Sequence, residues 1–248
     1  MITVKTFTFN AYSENTYVLY DETKECAIID PGMYEGFEQN ELAAFIKQED
    51  LNPVLLLNTH CHLDHVFGNK FVSETHGLKP QFHEGELPIL NAVPGYAPSM
   101  GFTRYEISPL PDTFLPETGT ISFGDSKLTL IFAPGHSPAH LCFYAKNENF
   151  LIGGDVLFYR SIGRTDLPGG NHQQLIDSIK NAIASGTNFD EMVQKYSDDA
   201  GSKANGGKYE MFPQAQMTPA FNDYSFDNPV GSKDVVKTDF GYHYIEIL

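Results

Sequence analysis

The run His60-Cys61-His62-Leu63-Asp64-His65 packs three histidines and a carboxylate into six residues. It follows Pro53-Val54-Leu55-Leu56-Leu57, a continuous apolar stretch of buried-strand length, so the cluster is expected at the end of a buried strand. His60 and His62 stand two apart in an extended segment, which lets both imidazoles turn toward one ion. Asp64 and His65 follow at the start of a helix and can face a second. Imidazole with carboxylate suits zinc, with iron and manganese as alternatives, and the absence of paired thiolates reads as a catalytic rather than a structural site.

Working outward, residues 2 to 30 read as strand, turn, strand, strand, with Asp21-Glu22-Thr23-Lys24 as a polar turn and Pro31-Gly32 ending the last strand. Leu42, Phe45 and Ile46 give residues 38 to 49 helical spacing. An antiparallel set follows at residues 120 to 123, 128 to 132, 141 to 144 and 150 to 155. Between these blocks, residues 84 to 116 are rich in Pro, Gly and Met and read as a long loop with one short helix, placed as a lid beside the site. Residues 172 to 196 read as two short helical stretches broken at Ser185-Gly186-Thr187. A Gly- and Asn-rich segment then leads to a loop around Met217 and Phe221 and a final alternating strand at residues 242 to 247.

A chain of 248 residues holds one large domain or two smaller ones. Its net charge of -16 argues against nucleic acid and against an acidic membrane surface, because both need clustered Lys and Arg. The first residues alternate like a strand rather than a signal peptide, and no apolar run reaches membrane-spanning length. Cys26, Cys61 and Cys142 are odd in number and far apart, so no disulfide framework is expected and the cytoplasm is the natural compartment. Cys26 and Cys142 should pack as small apolar residues.

Two later positions extend the site: His136 within Ala133-Pro134-Gly135-His136-Ser137-Pro138-Ala139-His140, and Asp155 within Gly153-Gly154-Asp155, both at strand ends. Together with Asp30-Pro31-Gly32 and the 60–65 run, these stretches resemble successive motifs of the metallo-β-lactamase superfamily over residues 1 to about 180. The resemblance is nearest to short glyoxalase II-like hydrolases, which have a similar Gly163-Arg164-Thr165-Asp166 segment. It implies an α+β chain built on an αββα sandwich. It also implies that His60, His62 and His136 hold a first metal, Asp64 and His65 a second, and that Asp155 bridges both. Asp30 and His140 would support these ligands from behind, His140 by donating a hydrogen bond, while Cys61 fills a variable slot. Asp64 would also count as catalytic. Metal-bound water, with a pKa near 7, would supply hydroxide to attack a small hydroxyacylglutathione-like thioester, with no serine or cysteine nucleophile.

The family's last ligand, a histidine in a second Pro-Gly-His motif, has no counterpart: after His172 comes only His243. Residues 177 to 248 instead resemble a parvulin-type peptidyl-prolyl isomerase. The matching pieces are Phe189-Asp190-Glu191-Met192, Tyr196-Ser197-Asp198-Asp199, Asn205-Gly206-Gly207, Gln216-Met217-Thr218-Pro219-Ala220-Phe221 and Val236-Lys237-Thr238-Asp239-Phe240-Gly241-Tyr242-His243. The resemblance implies that Met217 and Phe221 line a proline pocket, that Asp199 takes the catalytic acidic or thiol position, and that His243 joins a catalytic polar network. Gly207-Lys208-Tyr209-Glu210 departs from the family's Gly-Asp-Leu-Gly, and the family's opening strand is missing.

The expected organisation is therefore a hydrolase domain at 1–176, lacking its C-terminal elements, followed by a partial parvulin-like α/β module at 177–248. Such a truncation should expose apolar surface and a strand edge unless the tail covers them. The leading functional reading is a metal-dependent thioester hydrolase whose second metal position is impaired. Three alternatives stand beside it. One is an iron-dependent persulfide dioxygenase on His60, His136 and Asp155. The others are an isomerase or chaperone acting on proline-containing polypeptide, and a hybrid in which neither half works.

Overall fold

The structure is a computed structural model and describes residues 1–158, 161–184, 208–210 and 212–248. The apolar run ahead of the histidines forms β4 (Asn52–Leu57), inside a five-stranded sheet with β1 (Thr3–Phe9), β2 (Glu14–Tyr20), β3 (Glu25–Ile29) and the short β5 (Pro80–Gln81), in the order β1-β2-β3-β4-β5. The first three strands pair antiparallel. β3, β4 and β5 run parallel, which delivers their C-terminal ends to one side. A second, antiparallel sheet runs β6 (Thr118–Phe123), β7 (Ser126–Phe132), β8 (Leu141–Ala145) and β9 (Phe150–Ile152), and a short antiparallel pair, β10 (Leu157–Phe158) and β11 (Ser161–Ile162), follows it.

Strand alternation decides what each face buries. Leu19, Ala27, Ile29 and Leu57 point between the sheets and meet Phe123, Leu128, Leu130, Leu141 and Phe143. The opposite face of the first sheet, with Val18, Cys26, Ile28 and Leu56, is covered by Leu42 and Ile46 of α1 (Gly36–Gln48) and Val72 of α3 (Asn69–His76). α1 starts where Glu38 turns back to accept from the backbone N–H groups of Tyr34 and Glu35, both at 2.8 Å, occupying orphan donors of the first turn. The outer face of the second sheet receives Leu175 and Ile179 of α5 (His172–Ala184), against Ala133 and Cys142. The order of layers is helix, sheet, sheet, helix, as expected. The apolar face that truncation was expected to bare is capped by α5.

Cys26 and Cys142 are buried free thiols pushed up to about 12 by burial, inert packing groups as expected. The presumed lid contains α4 (Leu87–Tyr96), preceded by a turn at Glu84–Glu86 that leads back to the site. Two expectations for the C-terminal part need correction. Phe221 lies on a helix, α6 (Pro219–Asp227), not in a loop, because Pro219 sits in the first turn, where a missing N–H costs nothing. The final strand, β13 (Gly241–Glu246), also has a partner that the sequence reading missed, the antiparallel β12 (Lys233–Thr238). The residue 176/177 boundary falls inside α5, whose Ile176 and Lys180 face Asp234 and Val235 of β12, with Lys180 ion-paired to Asp234. Among the described residues no helix is long and apolar enough to cross a membrane.

Candidate metal centre

Asp30, just beyond β3 and at a left-handed φ of 49°, organises the loop after β4. Its Oδ1 accepts from the Thr59 backbone N–H and its Oδ2 from the Thr59 hydroxyl, each at 2.7 Å. Asn58 donates to the His65 carbonyl at 2.8 Å, fixing the start of the short helix α2 (Leu63–Val66). The Pro134-Gly135-His136 loop enters from the end of β7. There α5 passes so close that a Cβ on Gly135 (φ +130°) would lie 2.2 Å from the Leu175 backbone nitrogen. Asp155 follows β9 after Gly154 (φ +48°), where a Cβ would fall 2.5 Å from both His140 Nε2 and Thr59 Oγ1.

Hydrogen-bond chemistry then fixes which way the imidazoles present their lone pairs. Thr59 gives its hydroxyl proton to Asp30, so the 3.0 Å contact to His60 Nδ1 has the ring N–H donating, and His60 Nε2 carries a lone pair. His136 Nδ1 donates to the Arg164 carbonyl at 2.8 Å, leaving Nε2 in the same state. These two lone-pair nitrogens lie 3.2 Å apart, and His62 Nδ1 is 2.9 Å from His136 Nε2. Burial and the neighbouring imidazoles hold His60 well below the ordinary histidine range, and burial with His136 pushes His62 down to about 3. Facing acceptors without a proton between them repel, whereas a tetrahedral cation with bonds of about 2.0–2.1 Å separates its nitrogen ligands by roughly 3.3 Å. The donor set fits such an ion.

A second grouping surrounds His65. Its Nε2 lies 3.3 Å from Asp155 Oδ1 and 3.6 Å from Asp64 Oδ2, and its Nδ1 lies 3.2 Å from Asp30 Oδ2. Burial opposes charge on this ring, but Asp64, Asp155 and Asp30 outweigh it and raise His65 well above the ordinary range. Asp155 also sets Oδ2 3.3 Å from His136 Nε2, so one carboxylate spans both groupings. Burial alone would raise its pKa, yet the charge of His65 and its hydrogen bond outweigh burial and hold the carboxyl below the ordinary range. His140 stacks on His60 at 4.9 Å, and its Nε2 accepts from the Asp155 backbone N–H at 3.2 Å, so the supporting bond runs opposite to the donation expected.

The six ligand candidates of the sequence thus come together: His60, His62 and His136 in one cluster, His60, His65 and Asp155 in another, and Asp64 beside His65. Among the described residues, neither His172 nor His243 joins a cluster of possible metal donors. His172 is exposed at the start of α5, and His243 contacts Thr238 Oγ1 at 2.7 Å and the Phe221 ring at 5.8 Å. Phe221 also meets Phe212 and Tyr209 at 6.3 and 6.1 Å, and Met217 is half-buried just ahead of α6. Asp199 lies outside the described residues.

Two buried acids escaped the sequence reading. Glu14, on β2, sets Oε1 3.8 Å from His65 Nδ1, and burial raises its pKa well above the ordinary range. Glu86 accepts from Cys61, Ser137 and Ala139. Neither stands in an apolar pattern, Glu14 lying between Ser13 and Asn15 and Glu86 between Gly85 and Leu87, and their contacts to the site are with residues remote in sequence.

Comparison with known proteins gives a consistent picture. Residues 10–185 match the sequence profile of the metallo-beta-lactamase superfamily, and residues 168–248 match that of the PPIC-type PPIase domain. The chain is 36% identical over 167 residues to "Probable metallo-hydrolase YqgX" of Bacillus subtilis (strain 168), covering 66% of this chain and 76% of that one. It is 33% identical over 175 residues to "Hydroxyacylglutathione hydrolase GloC" of Haemophilus influenzae, covering 70% and 80%. Among solved structures it resembles TTHA1623 in a di-iron-bound form, with a TM-score of 0.65 at 31% identity, covering 73% of this chain and 87% of that one.

Proposed function

Because the chain belongs to the metallo-beta-lactamase superfamily, we propose that it is a metal-dependent hydrolase of small thioesters of the hydroxyacylglutathione type. The observation that carries this reading is the convergence of His60, His62 and His136, with the lone pairs of His60 and His136 aimed inward by Thr59 and Arg164. In this reading those three hold one divalent ion, Asp64 and His65 hold a second, and Asp155 lies between them. A divalent ion bound there would polarise a carbonyl and lower the pKa of a bound water toward neutrality.

The chain's own groups set the stage for that chemistry. Thr59 and the Arg164 carbonyl fix the ring tautomers, Asp30 orients His65, and His140 holds the Asp155 backbone. Phe67, Phe102, Tyr34 and Tyr105 form an aromatic wall beside α2 that excludes water from one side. Asp64 keeps 23% of its side chain exposed, so it is open to solvent while His65 beside it is buried. The second position has three protein donors and is the weaker of the two.

Metal analysis of the purified chain, combined with hydrolysis of a hydroxyacylglutathione thioester, tests the reading. About one to two zinc, iron or manganese ions per chain, nearer one if the weaker second position stays empty, with hydrolysis that His60→Ala abolishes, is the expected result. Near-zero metal, or turnover unaffected by His60→Ala, would sink it. Iron with oxygen uptake on a persulfide would favour the dioxygenase alternative, and the di-iron-bound form of TTHA1623 makes iron one of the metals to assay. A second reading concerns residues 177–248, taken as a unit beside a hydrolase unit at 1–176. The isomerase-domain match and the Phe212, Phe221 and His243 cluster support a site for proline-containing polypeptide.

A further inference from the structure

We propose that Glu86 is a positioning residue for the metal centre, a buried carboxylate that ties together the two loops supplying the first three histidines. The proposal rests on the metal-site reading above and adds to it a residue outside the ligand set.

Glu86 is fully buried at the start of α4. Its Oε2 accepts from the backbone N–H of Cys61, the residue between His60 and His62, at 3.0 Å. Its Oε1 accepts from the Ser137 hydroxyl at 2.7 Å and from the Ala139 backbone N–H at 2.8 Å. Ser137 follows His136 directly, and Ala139 precedes His140. One carboxylate therefore bridges a loop from the first sheet to a loop from the second. The three donors belong to segments 25, 51 and 53 residues away, so no local pattern holds them together.

Among the described residues Glu86 has no ion-pair partner, and its carboxyl oxygens meet these three donors. Charge-assisted bonds of this kind are stronger than neutral ones, and each donor left behind in the interior would be costly. The geometry points to a spacer whose length sets the approach of His62 to His136. A glutamine keeps one acceptor oxygen but presents an NH2 group to donors on the other side, so it should retain the bonds of one loop and lose those of the other.

The test compares full-length wild type, Glu86→Ala, Glu86→Gln, Ser137→Ala and a control, Leu90→Ala, which removes a buried side chain of the same helix, packed in the cluster of Cys61 and Leu63, but none of the three hydrogen bonds. Zinc affinity is read by competition with a chromogenic chelator. Amide hydrogen exchange at Cys61 and Ala139 is read in metal-free protein. The expected result is a zinc affinity about 10–100-fold weaker in Glu86→Ala, with Glu86→Gln in between. Exchange should rise at both amides in Glu86→Ala and at one in Glu86→Gln, while Leu90→Ala lowers Tm and leaves zinc affinity within about twofold. Unchanged exchange at both amides in Glu86→Ala, or an equal loss of zinc affinity in Leu90→Ala, would overturn the proposal. A wild type that binds no zinc, iron or manganese defeats the hydrolase reading, and the exchange data still decide whether Glu86 joins the loops. Should Glu86→Ala not fold, Glu86→Gln and Ser137→Ala carry the same comparison.

Discussion

Replacing Gly135 by alanine isolates the contact between α5 and the loop that carries His136. Two costs add. At φ +130° a side chain is strained, worth about 1–3 kcal/mol. The new Cβ would also meet the Leu175 backbone, its nitrogen at 2.2 Å and its Cα at 2.4 Å, so the helix itself has to move. Overpacking of that kind costs about 1–3 kcal/mol. Displacement of α5 would also disturb the Asn171 N–H bond to the Gly135 carbonyl at 2.7 Å and the Ser178 hydroxyl bond to the Pro134 carbonyl at 2.6 Å. The expected loss is about 2–6 kcal/mol, a large part of the stability of a typical domain. Urea unfolding of Gly135→Ala measures it, with Gly77→Ala as reference: Gly77 has φ +70° with nothing near its missing Cβ, so only the backbone cost of about 1–2 kcal/mol applies. If the two variants lose the same stability, α5 does not press on the loop as described.

Two further outcomes follow from other contacts. Burial alone would raise the pKa of Asp21, but hydrogen bonds from Thr23, Ser126 and Asp125 lower it, so the ionised form contributes stability above the unfolded pKa near 4 and loses it as pH falls through the folded value. Asp21→Asn should therefore cost about 1.5–3 kcal/mol at pH 7 and progressively less below about pH 4, and urea midpoints showing an equal gap at pH 7 and pH 3 would contradict this. For the C-terminal part, Met217→Ala should slow catalysed isomerisation of a proline peptide by about tenfold or more if residues 177–248 form a working proline site. Equal rates for variant and wild type would rule that pocket out.

The site was legible where chemistry is concentrated in sequence. His60, His62, Asp64 and His65 are adjacent, and the flanking strand is a plain apolar run, so both the donors and their support were visible. His136 and Asp155 were visible because a glycine precedes each, and the structure explains both glycines by close backbone approach. Glu14 and Glu86 were hidden because their value lies in contacts made only after folding, Glu86 with backbone N–H groups that every sequence possesses. β12 was missed because Lys233-Asp234-Val235-Val236-Lys237-Thr238 offers two apolar residues among charges, and only pairing with β13 makes it a strand. α6 was read as a loop, although the proline at its start is compatible with a helix that continues from it.

The helix α5 belongs to both matched stretches, which overlap over residues 168 to 185. Leu175 and Ile179 are committed to the second sheet, while Ile176 and Lys180 are committed to β12. Melting this helix therefore strips both neighbours of packing at once. In the language of cooperativity, α5 is a shared subunit of local stability rather than a hinge. The same few turns that meet the C-terminal hairpin also press on the Pro134-Gly135-His136 loop, so one helix joins the two matched stretches in stability.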